Sequence, residues 1–160
     1  MFGCNCMEWV IGSKEHQVKP GKNVLVLGTS GVFIFALQFA LAAGTNVTTT
    51  SYSDEKLAFA KKLGATHTIS YKKTPQWASP ALKLTNGVGD HHVIEVGGEK
   101  VLPRSITCLA KDGMVSLIGF IASEGTLNLT NLLIQMHNQN ANTRGIVVVV
   151  PACFVIGLHV

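Results

Sequence analysis

Between Asn23 and Ala43 the sequence changes character once, abruptly. Asn23-Val-Leu-Val-Leu-Gly28 is a short apolar run, β-branched in part and ended by glycine, which predicts a buried strand. Gly31 to Ala43 is almost wholly apolar and predicts a helix, closed by Gly44 in C-cap position. The turn joining them is Gly28-Thr29-Ser30-Gly31-Val32-Phe33. A helix that starts in this way turns its first backbone N–H groups, and the positive end of its dipole, towards whatever lies beyond the strand. If the turn carries no side chain that blocks approach, the two negative charges of a pyrophosphate fit there. Against the spacing Gly-x-Gly-x-x-Gly the turn keeps the first glycine but has Ser30 and Phe33 at the second and third. Ser30 adds a Cβ close to the expected pyrophosphate, and a hydroxyl able to donate a hydrogen bond; Phe33 is expected to pack rather than bind. Taken alone, the same pattern also fits a purely structural strand-to-helix turn.

The alternation continues along the chain. Asn46 to Ser51 is a second strand by its β-branched content. Ser53-Asp54-Glu55 opens a helix with an N-cap residue and two acids at the positive end of the dipole, and that helix runs to Leu63 and stops at Gly64. His67 to Tyr71 reads as a third strand, and Thr74-Pro75 as the capped start of a helix that Pro80 must kink or shorten. His91 to Val96 is a fourth strand, Lys100 to Ala110 a helix, Met114 to Gly119 a fifth strand, Leu129 to Asn138 a helix, and Thr143 to Val150 a sixth strand. Strands and helices alternating through short loops imply right-handed βαβ crossovers. The expected fold is α/β: a doubly wound, parallel, six-stranded sheet with helices on both faces.

Composition agrees. Of 160 residues, 47% are hydrophobic and only 14% charged, enough apolar surface for one core whose strands are buried on both faces. The net charge of +4 is mild and its Lys and Arg are scattered, which argues against a nucleic-acid partner. Cys4, Cys6, Cys108 and Cys153 form no CxxC pair and no zinc-finger spacing, so reduced thiols and a cytoplasmic location are expected. The apolar runs Gly31–Gly44 and Gly145–Leu158 are shorter than the roughly 18 residues a membrane span needs, so no membrane partner is expected either.

Several segments, in order, resemble the medium-chain dehydrogenase/reductase superfamily, which includes zinc-type alcohol dehydrogenases and quinone oxidoreductases. They are Val18-Lys-Pro-Gly21, Val24 to Val32, Phe35 to Ala40, Ser53-Asp-Glu-Lys-Leu57, Leu63-Gly-Ala-Thr-His67, Val93-Ile-Glu-Val-Gly-Gly98, Ser116-Leu-Ile-Gly119 and Thr143-Arg-Gly145. The resemblance covers about residues 9 to 147 and implies the family's Rossmann cofactor domain over residues 21–150. It makes residues 1–20 the remnant of a connection to a GroES-like catalytic domain and 151–160 a divergent tail. The activity implied is hydride transfer between a nicotinamide and an alcohol/carbonyl or enone substrate. The alternative is a non-catalytic nucleotide-binding or interaction module, and a homo-oligomer is left open.

An acid at the end of the second strand would bind a ribose 2′-OH and repel a 2′-phosphate. This sequence has Thr50-Ser51-Tyr52-Ser53 there, so NADP(H) is expected ahead of NAD(H). By resemblance, Ser51, Ser53, Lys56 and Tyr71 face the 2′-phosphate, Gly28, Thr29, Ser30, Gly31 and Val32 the pyrophosphate, Val96 and Gly97 the nicotinamide ribose, and Gly119 and Phe120 the ring. The alternative is that Lys56 is a solvated helix residue and Tyr71 a sheet-edge aromatic. No catalytic residue is assigned and no zinc is expected in this chain: Cys4, near the family's ligand position, lacks partners for a site that needs about three. His91 and His92, adjacent on a strand, point to opposite faces and cannot chelate together.

Overall fold

The computed structural model describes residues 18–28, 31–97, 101–118, 145–150 and 154–159; residue 118 and the last two segments are described by backbone alone. Five parallel strands carry the described core: β1 (Asn23–Leu27), β2 (Asn46–Ser51), β3 (His67–Ser70), β4 (Asp90–Glu95) and β5 (Leu109–Ile118). Two further strands, β6 (Gly145–Val150) and β7 (Phe154–His159), extend the sheet, whose order is β3-β2-β1-β4-β5-β6-β7. The helices are α1 (Gly31–Ala42), α2 (Asp54–Lys62), α3 (Ala78–Leu84) and α4 (Leu102–Thr107). β1 pairs in parallel with β2 on one side and β4 on the other, so the chain winds outward to β3 and then returns past its starting strand.

The α/β architecture expected from the alternation is present, but the all-parallel six-stranded sheet needs correction. β7 lies in the segment expected to be a divergent tail, and it pairs antiparallel with β6 from Gly145↔His159 to Val150↔Phe154. Only three residues separate the two strands. A parallel crossover needs about a dozen or more, so the chain can only double back.

β1 explains the two-faced core. Val24 and Val26 point to one face, where they pack with Phe33, Ala36, Leu37 and Ala40 of α1 and Ala60 of α2. Leu25 and Leu27 point to the other, with Trp77, Ala81 of α3, and Leu102 and Ile106 of α4. All four strand residues are almost fully buried, as a central parallel strand covered on both sides requires. β2 is buried as well, yet Thr48, Thr49, Thr50 and Ser51 give it a row of hydroxyls, a polar strand inside the sheet.

Two helix expectations change. α2 begins as read: Ser53 is its N-cap and accepts a hydrogen bond from the Lys56 N–H at 3.4 Å, with Asp54 and Glu55 in the first turn. α3, however, starts at Ala78 rather than at Thr74-Pro75. Pro80 becomes its third residue, where the missing N–H would have had no intrahelical acceptor, so Pro80 marks a helix start and not a kink. α4 is only six residues long, against the eleven expected from Lys100 to Ala110. Leu109 and Ala110 instead open β5, where pairing jumps from Asp90↔Leu109 to His92↔Met114 through a bulge containing Asp112 at φ +60°. Strand ends for β3 and β4 move by a single residue, and the helix expected at 129–138 lies outside the described residues. No described helix is long and apolar enough to cross a membrane.

Candidate cofactor site

The strand order places a topological switch at β1: the connection from β1 leaves towards β2, while β4 is reached on the other flank. Open α/β sheets hold ligands in the crevice at the carboxyl ends of strands that diverge in this way. Gly28 ends β1 there. Its φ of +95° lies in the region that favours glycine, and its N–H donates to the Thr50 carbonyl at 3.2 Å, tying the turn to β2. Gly31 is the first residue of α1, and a Cβ built on it meets nothing within 4 Å. The first turn of α1 holds no acid, in contrast to α2, so the positive end of its dipole is not offset by its own side chains. Val32 is half-buried against the core, and Phe33, 2% exposed, packs inside it as expected. Thr29 and Ser30 lie outside the described residues, as do Gly119 and Phe120.

A cavity of about 470 Å³ opens at this carboxyl edge. Its walls are Leu27 and Gly28 from β1, Thr50 from β2, Tyr71, Pro75 and Trp77 beyond β3, Glu95, Val96 and Gly97 from the end of β4, and Val101 and Arg104 at α4. Four of the expected residues, Gly28, Tyr71, Val96 and Gly97, therefore meet in one space. Ser51, Ser53 and Lys56 are not among the cavity walls. The serines close the local turn: the Ser51 hydroxyl oxygen accepts from the Ser53 N–H at 3.3 Å, and the Ser53 hydroxyl caps α2. Lys56 is solvent-exposed. Tyr71 is 39% exposed at the rim, 5.9 Å from the Tyr52 ring, with the Lys72 ammonium 5.2 Å above Tyr52. A roomier groove of about 830 Å³ runs outside the edge strand β3, between α2 and α3, but none of the expected cofactor residues lines it and it is remote from the switch point.

Of the cavity walls that sequence reasoning did not assign to the site, two are charged. Glu95 is fully buried, and its carboxylate accepts the Gly97 N–H at 2.5 Å and the Ser105 hydroxyl. An acid directly after the apolar pair Val93-Ile94 was the available signal. Arg104 is the one cation among the described cavity walls, and its guanidinium has no hydrogen-bond or ion-pair partner among the described residues. Nothing in its local sequence marks it, because its direction depends on the short helix that carries it.

Other candidate groups serve the sheet. The buried His92 Nε2 lies 3.0 Å from the Ser116 hydroxyl, while His91, on the opposite face, accepts the Asn23 N–H through Nδ1 at 3.2 Å. Burial, with Lys22 nearby, lowers the His91 pKa. At the far, amino edge, Asp90 is fully buried and neither carboxylate oxygen has a hydrogen-bond partner; burial pushes its pKa up to about 7. The adjacent Cys108 thiol is pushed up to about 12 by burial and by Asp90, and remains protonated. Among the described residues no three His, Cys, Asp or Glu side chains converge, so they do not fit a zinc ion.

Sheet order, glycine turn and carboxyl-edge cavity define a doubly wound dinucleotide-fold protein. Residues 31–153 match the zinc-binding dehydrogenase family, and the chain belongs to that family, within the medium-chain dehydrogenase/reductase superfamily of oxidoreductases, as its cofactor-domain part. A zinc-type alcohol dehydrogenase-like protein of Schizosaccharomyces pombe is 79% identical over 140 residues, which are 87% of this chain and 40% of that protein. The crystal structure of a 2-haloacrylate reductase superposes with a TM-score of 0.76 at 25% identity, over 95% of this chain and 45% of that one. That of an NAD-dependent alcohol dehydrogenase gives 0.69 at 27% identity, over 92% and 40%. The chain thus spans less than half the length of these relatives.

Proposed function

We propose that this chain binds a nicotinamide dinucleotide across the carboxyl edge of its sheet, NADP(H) ahead of NAD(H), as the cofactor domain of an alcohol dehydrogenase-like oxidoreductase. The observation that carries the reading is the convergence of Gly28, the acid-free first turn of α1 and the 470 Å³ cavity at the β1/β4 switch point. The residues fit the group. The N–H donors at the start of α1 meet the pyrophosphate, and Leu27, Pro75, Tyr71 and Trp77 offer apolar and aromatic walls to a base. Val96 and Gly97, at the end of β4, face the nicotinamide-side ribose.

Preference for a 2′-phosphate is supported by charge. β2 ends in Thr50 and Ser51 with no acid, and Tyr71 and Arg104 line the same cavity, so a phosphate there meets a guanidinium instead of a carboxylate. Glu95 also lines the cavity, but its carboxylate is engaged by Gly97 and Ser105. When bound, the cofactor would exchange hydride at its C4 with the substrate, giving it to a carbonyl or enone when reduced and taking it from an alcohol when oxidised, and the chain's part is to hold and orient it. The reading also places the protein in the cytoplasm, in keeping with the buried free thiol of Cys108.

Titration of the purified chain with NADPH, NADH and S-adenosylmethionine tests the proposal. NADPH is expected to bind more tightly than NADH, and S-adenosylmethionine not at all. Tighter NADH binding would overturn the specificity argument; binding of S-adenosylmethionine alone would overturn the dinucleotide reading. A reductase assay on the same sample separates a working enzyme from a nucleotide-binding module.

A further inference from the structure

Glu95 is the last residue of β4 and 0% exposed, between strand neighbours that are apolar. Burying a carboxyl group on the face of the sheet that carries Val93, Leu102 and Ile106 is unfavourable unless donors replace its water. The donors come from the two sides of the connection between β4 and α4. Oε1 accepts the Gly97 N–H at 2.5 Å, and Oε2 accepts the hydroxyl of Ser105, itself fully buried on α4. The turn is also packed hard against this arrangement: a Cβ on Gly97 would lie 2.9 Å from Val101 Cγ2 and 3.0 Å from Glu95 Oε1. Val96, Gly97 and Val101 are walls of the cofactor cavity.

We propose that Glu95 is a positioning residue for the dinucleotide: its carboxylate clasps the Gly97 turn to α4 and so sets the position of the cavity wall. This rests on the reading that the cavity takes a nicotinamide dinucleotide. The clasp acts through backbone placement. An acceptor fixed at hydrogen-bond distance holds the Gly97 N–H in place, so the turn is preorganised before any ligand arrives. Gln at this position can still accept from Gly97 and can donate its amide to the Ser105 oxygen, whereas Ala can do neither.

The test measures NADPH affinity, urea midpoint and hydrogen exchange at the Gly97 amide in the wild-type chain, Glu95→Gln, Glu95→Ala and Ser105→Ala. Met114→Ala, in the core on the opposite face, serves as a stability-matched control. Loss of the buried hydrogen-bond acceptor is expected to weaken NADPH binding by about ten- to a hundredfold in Glu95→Ala. Ser105→Ala is expected to fall between it and the wild type, and Glu95→Gln to stay within about threefold. Gly97 exchange should accelerate in the Ala variants without ligand, and Met114→Ala should keep wild-type affinity. If Glu95→Ala does not fold, Ser105→Ala and Glu95→Gln carry the comparison. Wild-type affinity in Ser105→Ala with a deprotected Gly97 amide would overturn the clasp while leaving the cofactor reading intact, and so would an amide that stays protected in the Ala variants. A wild-type chain that binds neither NADPH nor NADH would overturn the cofactor reading itself, and the clasp's role in binding with it.

Discussion

Asp90→Asn should convert a pH-sensitive chain into one much less so. Asp90 opens β4 at the amino edge of the sheet, away from the cofactor cavity, with its carboxyl fully buried and neither oxygen hydrogen-bonded. Burial raises its pKa from 3.8 to about 7. Between those values the native state holds a proton that the unfolded chain has released, so stability falls as pH rises through the window. Below pH 3.8 the group imposes no penalty. Above pH 7 the penalty is complete, and the shift corresponds to roughly 4 kcal/mol as an upper bound. The amide of Asn is also buried without partners, which costs on the order of 1–3 kcal/mol at every pH. The pH dependence, rather than the absolute change, is therefore the signal. Urea unfolding followed through the buried Trp77 should show the variant gaining on the wild type by roughly 2–3 kcal/mol between pH 5 and pH 8, then no further. Histidine titrations are common to both proteins and cancel. A difference that stays constant from pH 5 to 8 would refute the reasoning, because it would mean that the Asp90 carboxylate is ionised and satisfied in the fold.

Two further substitutions address binding. Gly31→Asp places a carboxylate in the first turn of α1, where its Cβ has open space and its charge suits the helix dipole. Stability measured by thermal melting should be equal or slightly higher while NADPH binding is lost; retained affinity would show that the turn is only structural. Arg104→Gln should weaken NADPH binding by about tenfold and NADH binding less, as measured by fluorescence titration. Equal losses for the two cofactors would remove Arg104 from the 2′-phosphate.

What the sequence made legible is what local chemistry determines. The β1–Gly28–α1 unit, the Ser53 cap and the opposed His91 and His92 each follow from residue types within one turn or one strand. What it concealed depends on distant contacts. Leu109 and Ala110 carry a helix-compatible pattern, yet pairing of Leu109 with Asp90 draws them into β5. β7 could not be foreseen from its own residues, because its direction is imposed by the shortness of the link from β6. The cavity shows the same division. Gly28, Tyr71, Val96 and Gly97 lie where strands end, so strand prediction locates them. Arg104 and Ser105 are placed by a six-residue helix whose bounds the apolar pattern overestimated, and the partner of Glu95 is invisible until that helix is in position.

β1 contributes alternate side chains to two separate cores and leads directly into Gly28, the glycine of the turn proposed to take the pyrophosphate. A slip of one residue would exchange Val24 and Val26 with Leu25 and Leu27 and carry the Gly28 amide away from Thr50. Five residues thus serve as a common axle on which both halves of the domain and the ligand turn are mounted. Changes at Val24 or Val26 must be compensated from α1 and α2, and changes at Leu25 or Leu27 from α3 and α4. Evolution along this strand should therefore proceed by paired replacements, each pair confined to its own face, with Gly28 left in place.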